Sequence, residues 1–325
     1  PQPEPGLPLI AVNRRALINW LSGILALLFM AGVSAAPRGE VVVVLSQDTD
    51  AYREVVRAMR AELTRQNRAD LPVRVLTLNE FQSQYGQIVG QRPVLLVSVG
   101  TQAARELADR RPPVPVLHTL LPRQTWQSLA RAPGQASSAI FLDQPIDRQL
   151  LLLKHALPGR TNLGVILGPA SAGQRHELMA AARRQGFQLQ IEAIDQPAAL
   201  LPALNRVVED SQVLVSVADP MVFGPSTVHH ILLTTYRYRV PVLGLSRAYV
   251  EAGALLAVYS TPEHIGRQLG ELVSRMAAGR WVLPAPQYPK YYDVATNPRV
   301  AASLNLRLER ESVLLMKLEA AEGQR

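Results

Sequence analysis

The 325-residue chain contains no cysteine. That excludes disulfides, thiolate zinc sites, iron–sulfur clusters and a cysteine nucleophile, and it leaves no lipobox cysteine for a lipid anchor. Lysine is nearly as scarce: of 34 basic residues, only Lys154, Lys290 and Lys317 are lysine. Aromatic residues make up 5% of the chain. The formal net charge of +8 invites a nucleic-acid reading, but the arginines scatter along helices and loops without forming runs. Single-strand binding needs a basic groove interleaved with stacking aromatics, and no such stripe exists. No nucleic-acid partner is therefore expected. A basic cleft would still concentrate an anionic ligand.

Catalytic signatures are also missing. There is no G-x-S-x-G, no Walker loop, no H-E-x-x-H and no G-x-G-x-x-G. His229 and His230 are adjacent on a predicted helix, so they point in different directions and cannot share a metal. The chain is expected not to be an enzyme and to carry no cofactor or metal.

What is present begins with an export signal. A Pro-rich start, Pro1 to Ala11, reads as disordered. It is followed by Asn13-Arg14-Arg15, an apolar stretch from Leu17 to Val33, and small residues Ser34-Ala35-Ala36. Positive, apolar and small in that order is the pattern of a secretory signal peptide, with cleavage expected after Ala35 or Ala36. The apolar run is short for a full span and is interrupted by Asn19, Ser22 and Gly23, which argues against an uncleaved anchor. A periplasmic location is the expectation.

Beyond the leader, short apolar runs alternate with amphipathic helices. Val41-Val42-Val43-Val44-Leu45 is the signature of a parallel strand covered on both faces. Tyr52, Val55, Val56, Met59 and Leu63 then recur at helical spacing. Strands are predicted at 73–78, 94–99, 114–118 and 138–142, then at 163–167, 189–194, 213–217, 240–245 and 254–259. Helices separate most of them. Such alternation means βαβ units and parallel, doubly wound sheets. Ten or more strands in one open sheet would be unusual, so the fold class expected is α/β with two doubly wound parallel-sheet lobes joined by a hinge.

Ligands of such sheets sit outside the carboxyl ends of the strands. The loops there supply the candidate ligand-binding residues: Ser46, Gln47, Gly100, Thr101, Gln102, His118, Thr119, Ser171, Asp219, Ser246 and Arg247. Facing sets would grip a ligand with Thr101 and His118 on one side, and Asp219 and Arg247 on the other. Other roles remain open: Thr101, Ser171 and Ser226 also suit helix N-caps, and Asp219 before Pro220 also suits a turn.

Several segments resemble the periplasmic substrate-binding components of bacterial ABC transporters, in the type I binding-protein group that includes tryptophan- and tyrosine-binding members. These are Val97-Ser98-Val99-Gly100-Thr101-Gln102-Ala103-Ala104, Val240-Pro241-Val242-Leu243-Gly244, Glu251-Ala252-Gly253-Ala254-Leu255 and the tail from Tyr292 to Leu306. The resemblance implies a hinged clamshell, with an N-lobe of 38–142 plus 262–284 and a C-lobe of 143–261 plus 285–308. A helical tail, 309–325, would come after them. It also implies a monomer that captures a small molecule, an amino acid or related metabolite, for an inner-membrane permease. The alternative is a ligand-sensing or envelope adaptor protein of the same fold, feeding a sensor without transport.

Overall fold

A computed structural model describes residues 39–129 and 134–323. The expected signal segment lies outside the described residues. Among those described, no helix is long and apolar enough to cross a membrane.

The first sheet contains β1 (Val41–Leu45), β2 (Val73–Thr77), β3 (Leu95–Val99), β4 (Val116–Leu121) and β5 (Ser137–Phe141). All its pairings are parallel, in the order β2-β1-β3-β4-β5. Every residue of β1 and β3 is buried, as their unbroken apolar runs require of strands covered on both faces. One face carries α1 (Asp50–Arg65) and α10 (Pro262–Ala278), and the other carries α2 (Leu78–Gly90) and α3 (Thr101–Arg110). Helix α2 had no counterpart among the sequence expectations. It starts from a capping box between Thr77 and Glu80, and only Phe81 and Ile88 of its face are buried.

Helix α10 returns to this first sheet more than 100 residues after β5 and seats directly on α1. Two glycines permit the approach. A Cβ on Gly266 would lie 2.3 Å from the Val55 carbonyl oxygen, and one on Gly270 would lie 2.8 Å from that of Met59.

The second sheet holds β6 (Asn162–Leu167), β7 (Gln188–Ala193), β8 (Val213–Val215), β9 (Val242–Leu243), β10 (Leu256–Tyr259) and β11 (Asp293–Thr296), in the order β11-β10-β9-β8-β6-β7. It is parallel except for β11, which runs antiparallel to β10 at the edge. Helices α5 (Ile146–Ala156), α6 (Arg175–Gln185), α11 (Pro298–Ser303) and α12 (Glu311–Gly323) cover one face. Helices α7 (Leu200–Asp210), α8 (Val228–Arg237) and α9 (Arg247–Ala252) cover the other. The expected architecture of two parallel-sheet α/β lobes is the one observed.

The chain passes between the sheets at Leu142–Gln144, at Ser260–Thr261 and between Gln287 and Asp293. Gln287 still belongs to the first sheet: its N–H donates to the Ala139 carbonyl at 2.9 Å and its carbonyl accepts from Phe141 at 3.0 Å. Buried Gln268 of α10 fixes the same segment, donating to the Tyr288 carbonyl and accepting from the Lys290 N–H.

Candidate ligand cleft between the lobes

One strand end departs from regular pairing. The β4–β5 register shifts between Thr119 and Leu121, and Leu120 sits at φ 52°. A non-glycine residue in the left-handed region is a strained position, and bulges of this kind re-aim the chain beyond them. Here the redirected segment is Pro122-Arg123-Gln124, which opens the short helix α4 (Arg123–Ser128) and lines a cavity.

That cavity has a volume of about 290 Å³. From the first sheet's side it receives Arg123, Gln124, Leu142 and Tyr288. From the second it receives Ile146, Gln149, Glu177, Ser216, Ser246 and Tyr249, among others. Asp143, Gln144 and Ser260, on the chain crossings, line it as well. Its charged groups are Arg123, Asp143 and Glu177.

Arg123 spans the cleft. Its guanidinium pairs with Glu177 of α6 and lies 5.8 Å from the Tyr288 ring centroid, while its backbone N–H donates to the Asp143 carboxylate. Burial pushes the Asp143 carboxyl above its ordinary range, against the lowering effect of the Arg123 N–H and charge. Burial likewise pushes the Tyr288 phenol up to about 12, so it stays a hydrogen-bond donor at neutral pH.

Two residues of the cavity wall each hold a buried polar atom with no protein partner. Ser216 is 1% exposed and its hydroxyl is unbonded, as is the buried Oε1 of Gln149. Gln149 Nε2 is engaged, donating to the Gln144 carbonyl at 3.0 Å. Buried polar groups are rarely left unbonded, so such atoms beside a cavity mark where a ligand or water binds.

Behind the cleft, a buried network ties the crossings together. Arg148 is 8% exposed. It donates to Glu322 at 2.8 Å, to the Gln144 side chain at 2.7 Å and to the Pro289 carbonyl at 3.0 Å, and it stacks 3.9 Å from the centroid of the Tyr292 ring. Gln144 in turn donates to Ser260 at 2.8 Å, and Ser260 to the Tyr291 carbonyl at 2.5 Å. The three crossings and α12 thus share one set of hydrogen bonds.

Of the residues singled out from sequence, Ser246 lines this cavity. The others lie elsewhere. Ser46 Oγ accepts the Ala103 N–H at 2.9 Å, inside the turn that Gly100 makes at φ 92°. Thr101 is the first residue of α3, Gln102 is the second, and Gln47 is exposed before α1. His118 is buried and meets Ser98 Oγ at 2.8 Å, while Thr119 donates to the Ser98 carbonyl at 2.9 Å. Ser171 and Asp219 form one buried cluster: the carboxylate accepts the Ser171 N–H and hydroxyl, each at 2.8 Å, and the Met221 N–H at 2.9 Å. Arg247 donates to the Tyr259 hydroxyl at 2.7 Å and pairs with Glu311 at 3.6 Å. It stands behind a residue of the cavity wall.

The groups that line the cavity had weak signals in sequence. Ser216 falls inside a predicted strand, Asp143 and Ser260 flank expected crossings, and Arg123 comes after a bulge that no local pattern announces. Among the described residues, no cluster of His, Asp or Glu could hold a metal ion.

A family model described as "ABC transporter substrate binding protein" matches residues 41–315. The chain belongs to that family. Similar solved structures include a ligand-free, open substrate-binding protein with adhesive properties from Clostridium difficile, with TM-score 0.66 and 17% identity over 83% of this chain and 96% of that one. An ABC domain in complex with L-Trp from Streptococcus pneumoniae has TM-score 0.59 and 17% identity over 85% and 97%. A conserved domain protein from Vibrio cholerae has TM-score 0.58 and 21% identity over 86% and 98%. At these identities the likeness establishes the fold. No curated protein matches the chain.

Proposed function

We propose that this family member is the periplasmic solute-binding component of an ABC importer, closing its two lobes over a small organic molecule. The observation that carries the reading is the cavity of about 290 Å³, lined from both lobes and from the crossings, with the Ser216 hydroxyl and Gln149 Oε1 unbonded in its wall. A molecule that touches both lobes stabilises the form in which they meet, which is how binding becomes closure. The hinge in this reading is the set of crossings at Leu142–Gln144, Ser260–Thr261 and Pro289–Tyr291. The volume suits a ligand of amino-acid size, and the L-Trp held by the similar Streptococcus protein supports that scale. The leader-like segment 12–36 supports export.

A thermal-shift screen of the protein against amino acids, amines, polyols, purines and oxyanions tests the capture step. A ligand at a hundred times its dissociation constant stabilises the folded state by about 2.7 kcal/mol, a shift of several degrees. Flat melting curves across the whole screen would reject solute binding. Recovery of the protein with its leader intact in the membrane fraction would reject release into the periplasm.

A further inference from the structure

The charges facing the cleft do not balance. Its lining contains one guanidinium and two carboxylates. The guanidinium of Arg123 is committed to Glu177, and the contact that Arg123 makes to Asp143 comes from its neutral backbone N–H. The cleft is therefore one positive charge short whenever Asp143 is ionised. A carboxylate held among protein atoms is costly without a partner, and burial does hold this carboxyl above its ordinary range.

The unbonded wall atoms can both accept from a positively charged ligand. A carboxamide oxygen can only accept, so Gln149 Oε1 calls for a donor from the ligand. The Ser216 hydroxyl can accept or donate, and its residue, just past the end of β8, is buried in the wall of the same space. Tyr249, Tyr259 and Tyr288 complete the wall with aromatic rings, whose faces attract cations; Arg247 and Arg123 already lie over the Tyr259 and Tyr288 rings.

We propose that the captured molecule carries a protonated nitrogen, which Asp143 neutralises while Gln149 Oε1 and Ser216 Oγ accept its remaining N–H donors. A carboxylate on the ligand is not required, because the cleft's single guanidinium already has a partner. The inference rests on the solute-binding reading and narrows its ligand class to amines and amine-bearing metabolites.

The test uses the protein and matched probes that differ in charge on a common skeleton. Tyramine, L-tyrosine and 3-(4-hydroxyphenyl)propionate form one set; cadaverine, L-lysine and glutarate form another; myo-inositol serves as a neutral probe. Melting temperature and calorimetry read binding. The expected result is binding confined to amine-bearing probes, with Asp143→Asn weakening the best of them by about ten- to a hundred-fold. Glu177→Gln, which frees Arg123, is expected to weaken the same probe and to admit the des-amino carboxylate. It carries the test if the Asp143 variant fails to fold. Preferential binding of a carboxylate or of myo-inositol overturns the cation assignment and leaves solute binding standing. Unchanged amine affinity in both variants does the same. Binding of no probe from any charge class overturns both readings.

Discussion

The two lobes share one architecture, yet they differ in how completely each bonds the polar groups at its strand ends. In the first lobe these groups are consumed internally. Ser46 caps the turn into α3, and Ser98, His118 and Thr119 bond to one another across β3 and β4. In the second lobe, Asp219 and Ser171 are consumed in the same manner, but Ser216, in the cleft wall, is left unbonded. The first lobe reaches the ligand space instead through the segment after its bulged strand, which brings in the charge of Arg123 with the ring of Tyr288 beside it. A strand-end hydroxyl can hold its own loop or meet a ligand. Which it does depends on whether a donor or acceptor of its own lobe lies within reach.

The largest effect should come from the network that joins the lobes. Arg148→Ala takes a charged donor from Glu322, Gln144 and the Pro289 carbonyl, while Glu322 keeps the Tyr292 hydroxyl and Gln144 keeps Ser260. Breaking a buried ion pair typically costs about 3–5 kcal/mol. Urea unfolding should show a loss of that order, together with weaker ligand binding because Gln144 and Ser260 lose their support. A loss confined to stability, with affinity intact, would separate the hinge network from the cleft.

Next in size is a change confined to the first lobe. Gly266→Ala inserts a Cβ where the Val55 carbonyl oxygen would be 2.3 Å away, so α1 and α10 must move apart. Overpacking of this kind costs about 1–3 kcal/mol. Ligand affinity should be nearly unaffected, since neither helix lines the cavity. If affinity falls with stability, the lobes are coupled more tightly than their separate cores suggest.

Two carboxylates then give opposite pH signatures. Asp143 binds its proton at a higher pH folded than unfolded. Its contribution to stability is therefore present at low pH and lost as pH rises from about 4 through the raised folded value. Glu62 is the reverse case. Burial raises its pKa, but hydrogen bonds from Arg65 and Gln66 outweigh this and hold the carboxyl below its ordinary range. Its contribution is present above the unfolded value of about 4.3 and lost as pH falls through the folded one. At pH 7, Asp143→Asn should leave the unliganded melting temperature unchanged or raised, whereas Glu62→Gln should lower it. The same sign in both variants would break the contrast.

The smallest effect concerns the cross-cleft pair. Arg123 and Glu177 are both partly open to solvent, and such pairs contribute about 0.2–1 kcal/mol. A double-mutant cycle on the unliganded protein should return a coupling in that range. A coupling near zero would show that Glu177 does not hold Arg123, and the charge count of the cleft would have to be redrawn.

Much of the fold was legible in the sequence because burial on both faces of a strand writes itself as an unbroken apolar run. Val41–Leu45 matches its predicted strand end for end, and Leu163–Leu167 differs from β6 by one residue. Where the signal was local but ambiguous, boundaries moved: 213–217 shortens to Val213–Val215, and the helix expected from Ser226 starts at Val228. Helix α2 is missing from the expectations because its face is only weakly apolar.

Sequence by itself determined the alternation of covered strands and amphipathic helices, and hence two doubly wound sheets with polar loops at their strand ends. The periodicity that encodes this repeats every two or 3.6 residues and needs no distant partner. Only the tertiary structure decided which polar groups face the ligand space. Arg123 meets Glu177 across 54 residues, Gln144 meets Ser260 across 116 and Arg148 meets Glu322 across 174. Ser216 is left unbonded because no donor or acceptor of its own lobe satisfies it. Such pairings depend on where the crossings bring the two lobes together, and no window along the chain contains both members.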